Sequence, residues 1–272
     1  MTRALPRLAL ALAAAFALAE ALPYLFMLSG SLKDLEEIAV VPPTLWPARV
    51  HWDNYAVVFS SAPMGRWLLN TAVVSFGIVL LQLPLVLLAS YALTFLRAPA
   101  ARVVQSVVLA CLLVPPQVRF VPVYLMLGRA GLLDTFFALI APHAASALGI
   151  LLTTKAMRAV PTEVVEAARL DGASELHIVF RIIAPMIRPT LVAFALFSVV
   201  YHWNDYFWTL VMTTTDRVRT LPVGVALLRE EGTGIRWHLV MAAAVIVTAP
   251  VLALFALTET HLVRAFTWNA PR

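Results

Sequence analysis

The chain has 272 residues, 61% of them hydrophobic and only 13% charged, about half the charged share of a soluble domain. So much apolar sequence cannot all hide in one water-soluble core, which points to lipid as the solvent. The net charge of +5 comes without a basic run, and there is a single cysteine, Cys111; nucleic acid is therefore not an expected partner, and a disulfide framework or cysteine-rich metal site is excluded.

From the N-terminus, Arg3 and Arg7 followed by an Ala/Leu run imitate a secretory signal. The apolar run continues to Leu28, however, and about 20 such residues cross the ~30 Å hydrocarbon layer. It reads as an uncleaved first span. Five more apolar stretches follow, giving expected spans at 8–28, 67–96, 103–127, 136–152, 191–212 and 239–257. Backbone groups in lipid must be satisfied within the segment, and these runs do not alternate as barrel strands would. The expected fold is all-α, with six transmembrane helices in one domain over residues 1–272.

Orientation follows from the basic residues. Eleven Lys/Arg against four acids collect on the side holding Arg3, Arg97, Lys155 and Arg264, whereas eight against eight collect on the other. The positive-inside rule then places both termini in the cytoplasm. Outer loops are expected at 29–66 and 213–237, and an inner loop at 153–190. The first outer loop carries Pro42, Pro43 and Pro47, with Trp46 and Trp52 suited to headgroup depth.

In the third span, Pro115, Pro116 and Pro122 surround Arg119. A helix broken at membrane depth is tolerated where it lines a cavity, and ionisable residues there face a cavity or a partner. A guanidinium suits hydroxyls and anionic groups; an ion pair within the bundle, or snorkelling to the interface, fits equally. Pro84, Pro142 and Pro250 read as kinks within spans, and Glu20 and Glu259 as structural or partner-facing acids.

The inner loop is organised. Pro161 suits the start of a helix and Glu163 its first turn, where an acid complements the dipole. Arg169 lies three residues beyond Glu166 as a possible partner. Asp171-Gly172 stops the helix, because glycine accepts the left-handed conformation of a C-cap. Ser174 then caps a second helix running through Ile182 to Pro185. The small residues Ala167, Ala168 and Ala173 at the bend would let another protein approach closely; a helix lying flat on the membrane fits the spacing as well. In the fifth span, His202-Trp203-Asn204-Asp205-Tyr206 crowds polar and aromatic atoms together, suited to sugar binding and equally to helix–helix hydrogen bonding.

Glu166-Ala-Ala-Arg-Leu-Asp-Gly172, followed nine residues later by Ile182-Ile-Ala-Pro185, resembles the "EAA" loop of ABC-importer permeases, with Ala184 where leucine is usual. Ser31-Leu-Lys33, Trp203-Asn-Asp205 and Thr220-Leu-Pro-Val-Gly224 are similar to the smaller permease of carbohydrate importers of the maltose-transporter type. The Val-Arg-Phe-Val-Pro run at Arg119 resembles glycerol-3-phosphate permeases. The tail, Arg264 to Arg272, departs from the Gly-Leu-Thr-rich ending of such proteins.

This resemblance implies a type I ABC importer permease fold in a bacterial or archaeal cytoplasmic (inner) membrane. It implies a coupling helix, built from Glu163, Glu166, Ala167, Ala168, Asp171, Gly172, Ala173, Ile182 and Pro185, that docks on an ABC ATPase subunit. It further implies a second homologous permease and an extracytoplasmic solute-binding protein, with Thr220, Leu221, Pro222 and Gly224 as candidate contacts. The cargo implied is a sugar or related polyol, alternatively glycerol 3-phosphate or another anionic polyol, with Arg119, Trp203, Asn204, Asp205 and Tyr206 as the candidate pathway. No cofactor or metal is expected on this chain; ATP and Mg belong to the ATPase.

The residues themselves agree that the chain is not the engine. A P-loop lysine follows glycine, but Lys33 follows Ser31-Leu32 and Lys155 follows Thr153-Thr154. No His-Glu-x-x-His or Gly-x-Ser-x-Gly motif occurs. The pairs His202/Asp205 and Glu259/His261 have no recognised catalytic spacing. A secondary transporter, needing no ATPase, is the remaining alternative.

Overall fold

The computed structural model describes residues 4–96, 99–228 and 236–267; Arg3, Arg97, Arg229 and the tail beyond Thr267 lie outside them. Among the described residues all regular structure is helical. Three helices are individually long and apolar enough to cross a bilayer: α1 (Ala4–Gly30), α4 (Met64–Phe95) and the first 22 residues of α15 (Trp237–Thr267). Leu10, Phe16 and Leu18 of α1 are exposed, the arrangement expected of a helix solvated by lipid rather than by protein.

Three further candidate crossings take the form of bent helix pairs. α5 (Ala101–Leu113) and α6 (Pro116–Arg129) meet at 99°. The cause is local: Pro115 and Pro116 bring no N–H, and their rings oppose helix continuation. α7 (Phe136–Ile140) passes into a 3₁₀ turn at Ala141–His143 and resumes, 40° away, as α8 (Ala147–Met157). Pro142 was expected only to kink this span; it sits instead in the 3₁₀ turn, and Ser146 starts α8 anew by accepting the Gly149 N–H at 3.1 Å. The third pair is Glu175–Met186 with α12 (Arg188–Trp203), at 86°. Pro84 and Pro250, by contrast, lie inside continuous helices.

The fifth span, expected to run unbroken to residue 212, breaks at 204–206 and resumes as α13 (Phe207–Met212). The Asp205 carboxylate accepts the Trp208 N–H at 3.1 Å, a local side-chain bond that competes with helix continuation.

The chain forms two compact units. One comprises residues 1–65 and 221–250 and includes α1, α2 (Leu35–Ile38), α3 (Asp53–Ser61) and α14 (Leu221–Leu228). Lys33 is only 1% exposed there. Its ammonium donates to the Thr44 carbonyl and to Thr44 Oγ1 at 2.8 Å, with the Phe26 ring 5.8 Å away. Asn54 Nδ2 ties the Ser31 and Lys33 carbonyls at 2.9 and 2.8 Å. The Ser31-Leu-Lys33 signature thus organises the loop after α1.

The other unit comprises residues 66–220 and 251–272 and has two cores. Leu87, Tyr91 and Phe95 of α4 pack with Met157, Val165, Ala168, Ile178, Val179 and Ile183. Val74 and Ile78, further up α4, pack with Leu127, Leu139, Trp208 and Met212. In α8, Gly149 lies against Phe194 of α12 so closely that a Cβ would fall 2.5 Å from the ring. Glycine here is what lets the two helices approach.

Candidate functional site

Two places in the larger unit gather the residues singled out by sequence. The first is the segment between α8 and α12. α9 (Thr162–Leu170) begins after Pro161 and ends at Asp171. Gly172 adopts φ +80°, its N–H donates to the Arg169 carbonyl, and the Ala173 N–H reaches back to Ala168, both at 3.0 Å. That pair of bonds is a Schellman C-cap, which requires the left-handed residue glycine supplies. Ser174 Oγ accepts the His177 N–H at 3.3 Å and starts α10 (Glu175–His177). The helix then widens to π-type over Ile178–Ile183 and continues as α11 (Ala184–Met186). Ile178, Val179 and Ile183 are all buried; the wider turn puts these neighbours on one inward side.

The segment is two-faced. Val165 and Ala168 of α9 join the core against α4. Glu163, Glu166, Ala167, Asp171, Gly172 and Pro185 are exposed, with Ala173 and Ile182 half-buried. Leu170 is 89% exposed and Leu176 61%. Two leucines held out beside a bend, among acids, are an unusual thing for a closed surface to leave uncovered.

Sequence reasoning missed what fastens the bend. Arg169, by spacing a possible partner of Glu166, donates from Nε and Nη2 to the Glu175 carboxylate at 2.8 and 3.1 Å. Tyr91 of α4, only 2% exposed, donates its hydroxyl to the same carboxylate and accepts from Arg169 Nη2 at 3.3 Å. The Arg169 hydrogen bond, then Tyr91, holds the Glu175 carboxyl below its ordinary pKa, and the same pairing raises that of Arg169. Nothing in the spacing of residues 91, 169 and 175 announces this contact.

The second place is a cavity of about 440 Å³ between α4, α5, α6, the 3₁₀ turn and α12, walled mainly by apolar side chains with a few polar groups among them. Arg119 of α6, Pro142 and His143 of the 3₁₀ turn, and Tyr201 and His202 of α12 line it. Arg119, His143, Tyr201, Asp205, Phe207 and Trp208 also line an adjoining recess of about 160 Å³. Gln82 of α4 stabilises the break in the fourth crossing: its Nε2 donates to the His143 carbonyl at 2.6 Å, and its Oε1 accepts from Ser198 at 2.6 Å. A carbonyl freed by a helix break at membrane depth needs such a donor.

Of the expected pathway residues, the structure brings Arg119 and Asp205 together on this lining. Trp203 is buried; Asn204 caps α12, donating to the Val200 carbonyl at 2.8 Å; Tyr206 is exposed on a neighbouring hollow. His143, Gln82 and Ser198 were not foreseen. Unpatterned polar residues inside apolar spans were the available signal. Cys111 also lines this cavity.

Near the far end of α4, Asp134 accepts the Thr214 and Thr215 N–H groups at 2.9 and 3.1 Å and the Thr215 hydroxyl at 2.6 Å. Burial is the largest single influence and raises its pKa. The Thr215 and Thr214 bonds, with Arg217 nearby, together outweigh it and leave the carboxyl below its ordinary value. Asn70 Nδ2 donates to the Arg217 and Arg219 carbonyls at 3.2 and 2.8 Å. Along the stretch resembling a permease outer loop, Thr220, Leu221 and Gly224 are buried and Pro222 is half-buried.

Residues 66–268 match the protein family described as "Binding-protein-dependent transport system inner membrane component". The sn-glycerol-3-phosphate transport system permease protein UgpE of Yersinia enterocolitica is 28% identical over 248 residues, 89% of this chain and 88% of that protein. UgpE of Escherichia coli O1:K1 is 30% identical over 239 residues, 85% of each. A chain in the crystal structure of a bacterial ABC transporter involved in the import of the acidic polysaccharide alginate superposes with a TM-score of 0.84. It covers 95% of this chain and 96% of that one at 21% identity, so the two share a fold.

Proposed function

This chain belongs to the family of binding-protein-dependent transport system inner membrane components, and we propose that it forms half of an ATP-driven import pore. The chain is a transport permease rather than an enzyme. An ABC ATPase subunit seats on the bend between α9 and α10, and a second homologous permease completes the pore. A solute-binding protein delivers cargo to the outer loops, around 216–236. Both termini are cytoplasmic, following the excess of basic residues on that side.

The two-faced bend carries this reading. Its inner side is fixed to α4 by packing and by the Tyr91–Glu175–Arg169 cluster, so a push on the bend is delivered to a membrane-crossing helix. Its outer side offers exposed leucines, small residues and no Cβ at Gly172, which suits insertion into a partner's groove. The competing location, flat on the lipid surface, is disfavoured by the exposed Glu163, Glu166 and Asp171, because the cytoplasmic leaflet is itself negative. When the ATPase subunits close on ATP, the bend and α4 move with them and the pore changes the side to which it opens.

The cargo in this reading is a sugar or related polyol. The names of the UgpE relatives and the cation Arg119 on the cavity wall favour the anionic alternative, glycerol 3-phosphate or a similar molecule.

The test is cross-linking in a Cys111→Ser background, with Leu170→Cys as the probe. The variant should couple to a co-purifying ATPase, and uptake should stop when ATP is depleted. A chain that comes down alone and transports without ATP is a secondary transporter, and the reading fails.

A further inference from the structure

Where α5 begins and α8 ends, three cations are gathered without a counter-charge. Arg102 and Gln105 lie three residues apart on α5, and Lys155 and Arg158 three apart at the end of α8, so each pair shares a helix face. Arg158 Nη2 donates to Gln105 Oε1 at 2.8 Å. That bond joins the two faces and sets Arg102, Lys155 and Arg158 around it. All three cations are exposed. Among the described residues no acid pairs with any of them, whereas Arg169, nearby in sequence, has Glu175.

Helix stability accounts for only part of this gathering. Lys155 and Arg158 stand at the C-terminal end of α8, where a cation complements the helix dipole. Arg102 stands in the first turn of α5, where a cation opposes the dipole and no acid in that turn offsets it. Like charges on neighbouring helix positions repel as well. An external anion meets both costs.

We infer that Arg102, Lys155 and Arg158 form a docking site for the phosphate headgroup of an anionic lipid, on the side of the membrane that carries the bend. Depth and shape select a lipid over a soluble anion. α5 and α8 each belong to a candidate crossing, so the start of one and the end of the other lie at headgroup level. Leu109, seven residues beyond Arg102, and Leu151, seven before Arg158, continue the same two faces toward the membrane interior. Leu109 is exposed and Leu151 half-buried, which leaves an apolar track for an acyl chain beneath the cations. Guanidinium groups suit phosphate oxygens, and basic pockets between membrane helices on the cytoplasmic side take such headgroups. Arg158 also stands three residues before Pro161, after which α9 begins. A lipid held there steadies the joint on which the bend turns. The inference needs only that these helices cross a membrane; it does not depend on the ATPase or on the cargo.

The experiment is native mass spectrometry of the purified transporter, titrated in detergent with equal amounts of phosphatidylglycerol and phosphatidylcholine. The first lipid retained should be phosphatidylglycerol. Arg102→Gln should weaken its retention by about fivefold, and that side chain makes no hydrogen bond or ion pair that folding could lose. Arg102→Gln combined with Lys155→Gln and Arg158→Gln should abolish the preference, while Arg129→Gln, at the end of α6, should leave it unchanged. Inorganic phosphate at the lipid's concentration should not displace the lipid. Equal retention of the two lipids by the wild type, or a preference that Arg102→Gln leaves intact, would overturn the inference. Displacement by inorganic phosphate would overturn it too, since the site would then belong to a soluble anion.

Discussion

Replacing Gly172 separates conformation from docking. The residue holds φ +80°, and a Cβ built on it meets nothing within 4 Å, so alanine introduces strain without a clash inside the chain. Holding an ordinary L-residue in the left-handed region costs roughly 1–2 kcal/mol, a factor of about 5–30 in the population of the bent conformation. Asparagine tolerates that region better than alanine does. Leucine pays alanine's strain and adds bulk on a side that the chain leaves open. In proteoliposomes containing the whole transporter, Gly172→Asn should remain closest to wild type and Gly172→Ala should lose part of its uptake. Gly172→Leu should lose far more, with ATP still hydrolysed but no longer matched to transport. All three should still insert in the membrane, since the site lies outside every crossing. If Gly172→Leu matched Gly172→Ala, the glycine would serve conformation alone. Wild-type uptake and coupling in Gly172→Leu would refute the docking of this bend.

Tyr91→Phe removes a buried hydroxyl shared by Glu175 and Arg169 and should lower stability by about 1–3 kcal/mol, read as denaturant resistance of the purified complex; no loss would mean the contact is idle. Because the Glu175 carboxyl is held below its ordinary pKa by Arg169 and Tyr91, its contribution should be fully present at neutral pH and fade as pH falls through the lowered value. Wild type and Glu175→Gln should therefore differ in thermal stability at pH 7 and converge in acid, and a constant gap would contradict this. Gln82→Leu strands the His143 carbonyl and should cost about 1–3 kcal/mol, whereas Gln82→Glu, which keeps only the acceptor for Ser198, should not restore it. Gly149→Ala would press a methyl within 2.5 Å of Phe194, an overpacking that should cost about 1–3 kcal/mol; Gly149→Ala combined with Phe194→Leu should recover part of that loss.

Much was legible in the sequence because it depends on local chemistry. Continuous apolar runs specify helices in lipid, since no other partner for the backbone is available there. The bend at Gly172 could be read from four residues, because a left-handed cap and a serine N-cap are decided within one turn. The proline pair before Arg119 likewise announced a break, though not its 99° angle.

What only the tertiary structure decided are the meetings between distant segments. Tyr91, Arg169 and Glu175 lie on different elements, and no periodicity links position 91 to position 175; packing of α4 against the Ile178–Ile183 turn brings them together. The same holds for the cavity. His143 read as nothing in particular, and Pro142 read as a kink. The 3₁₀ turn sets the His143 imidazole beside that of His202, and Gln82, some sixty residues earlier, holds the turn's backbone through the His143 carbonyl. Sequence determined that the chain carries membrane-spanning apolar helices and a capped bend at Gly172, because those properties are carried by neighbours along the chain. The chemistry of the cavity belongs to residues that become neighbours only when the broken helices pack.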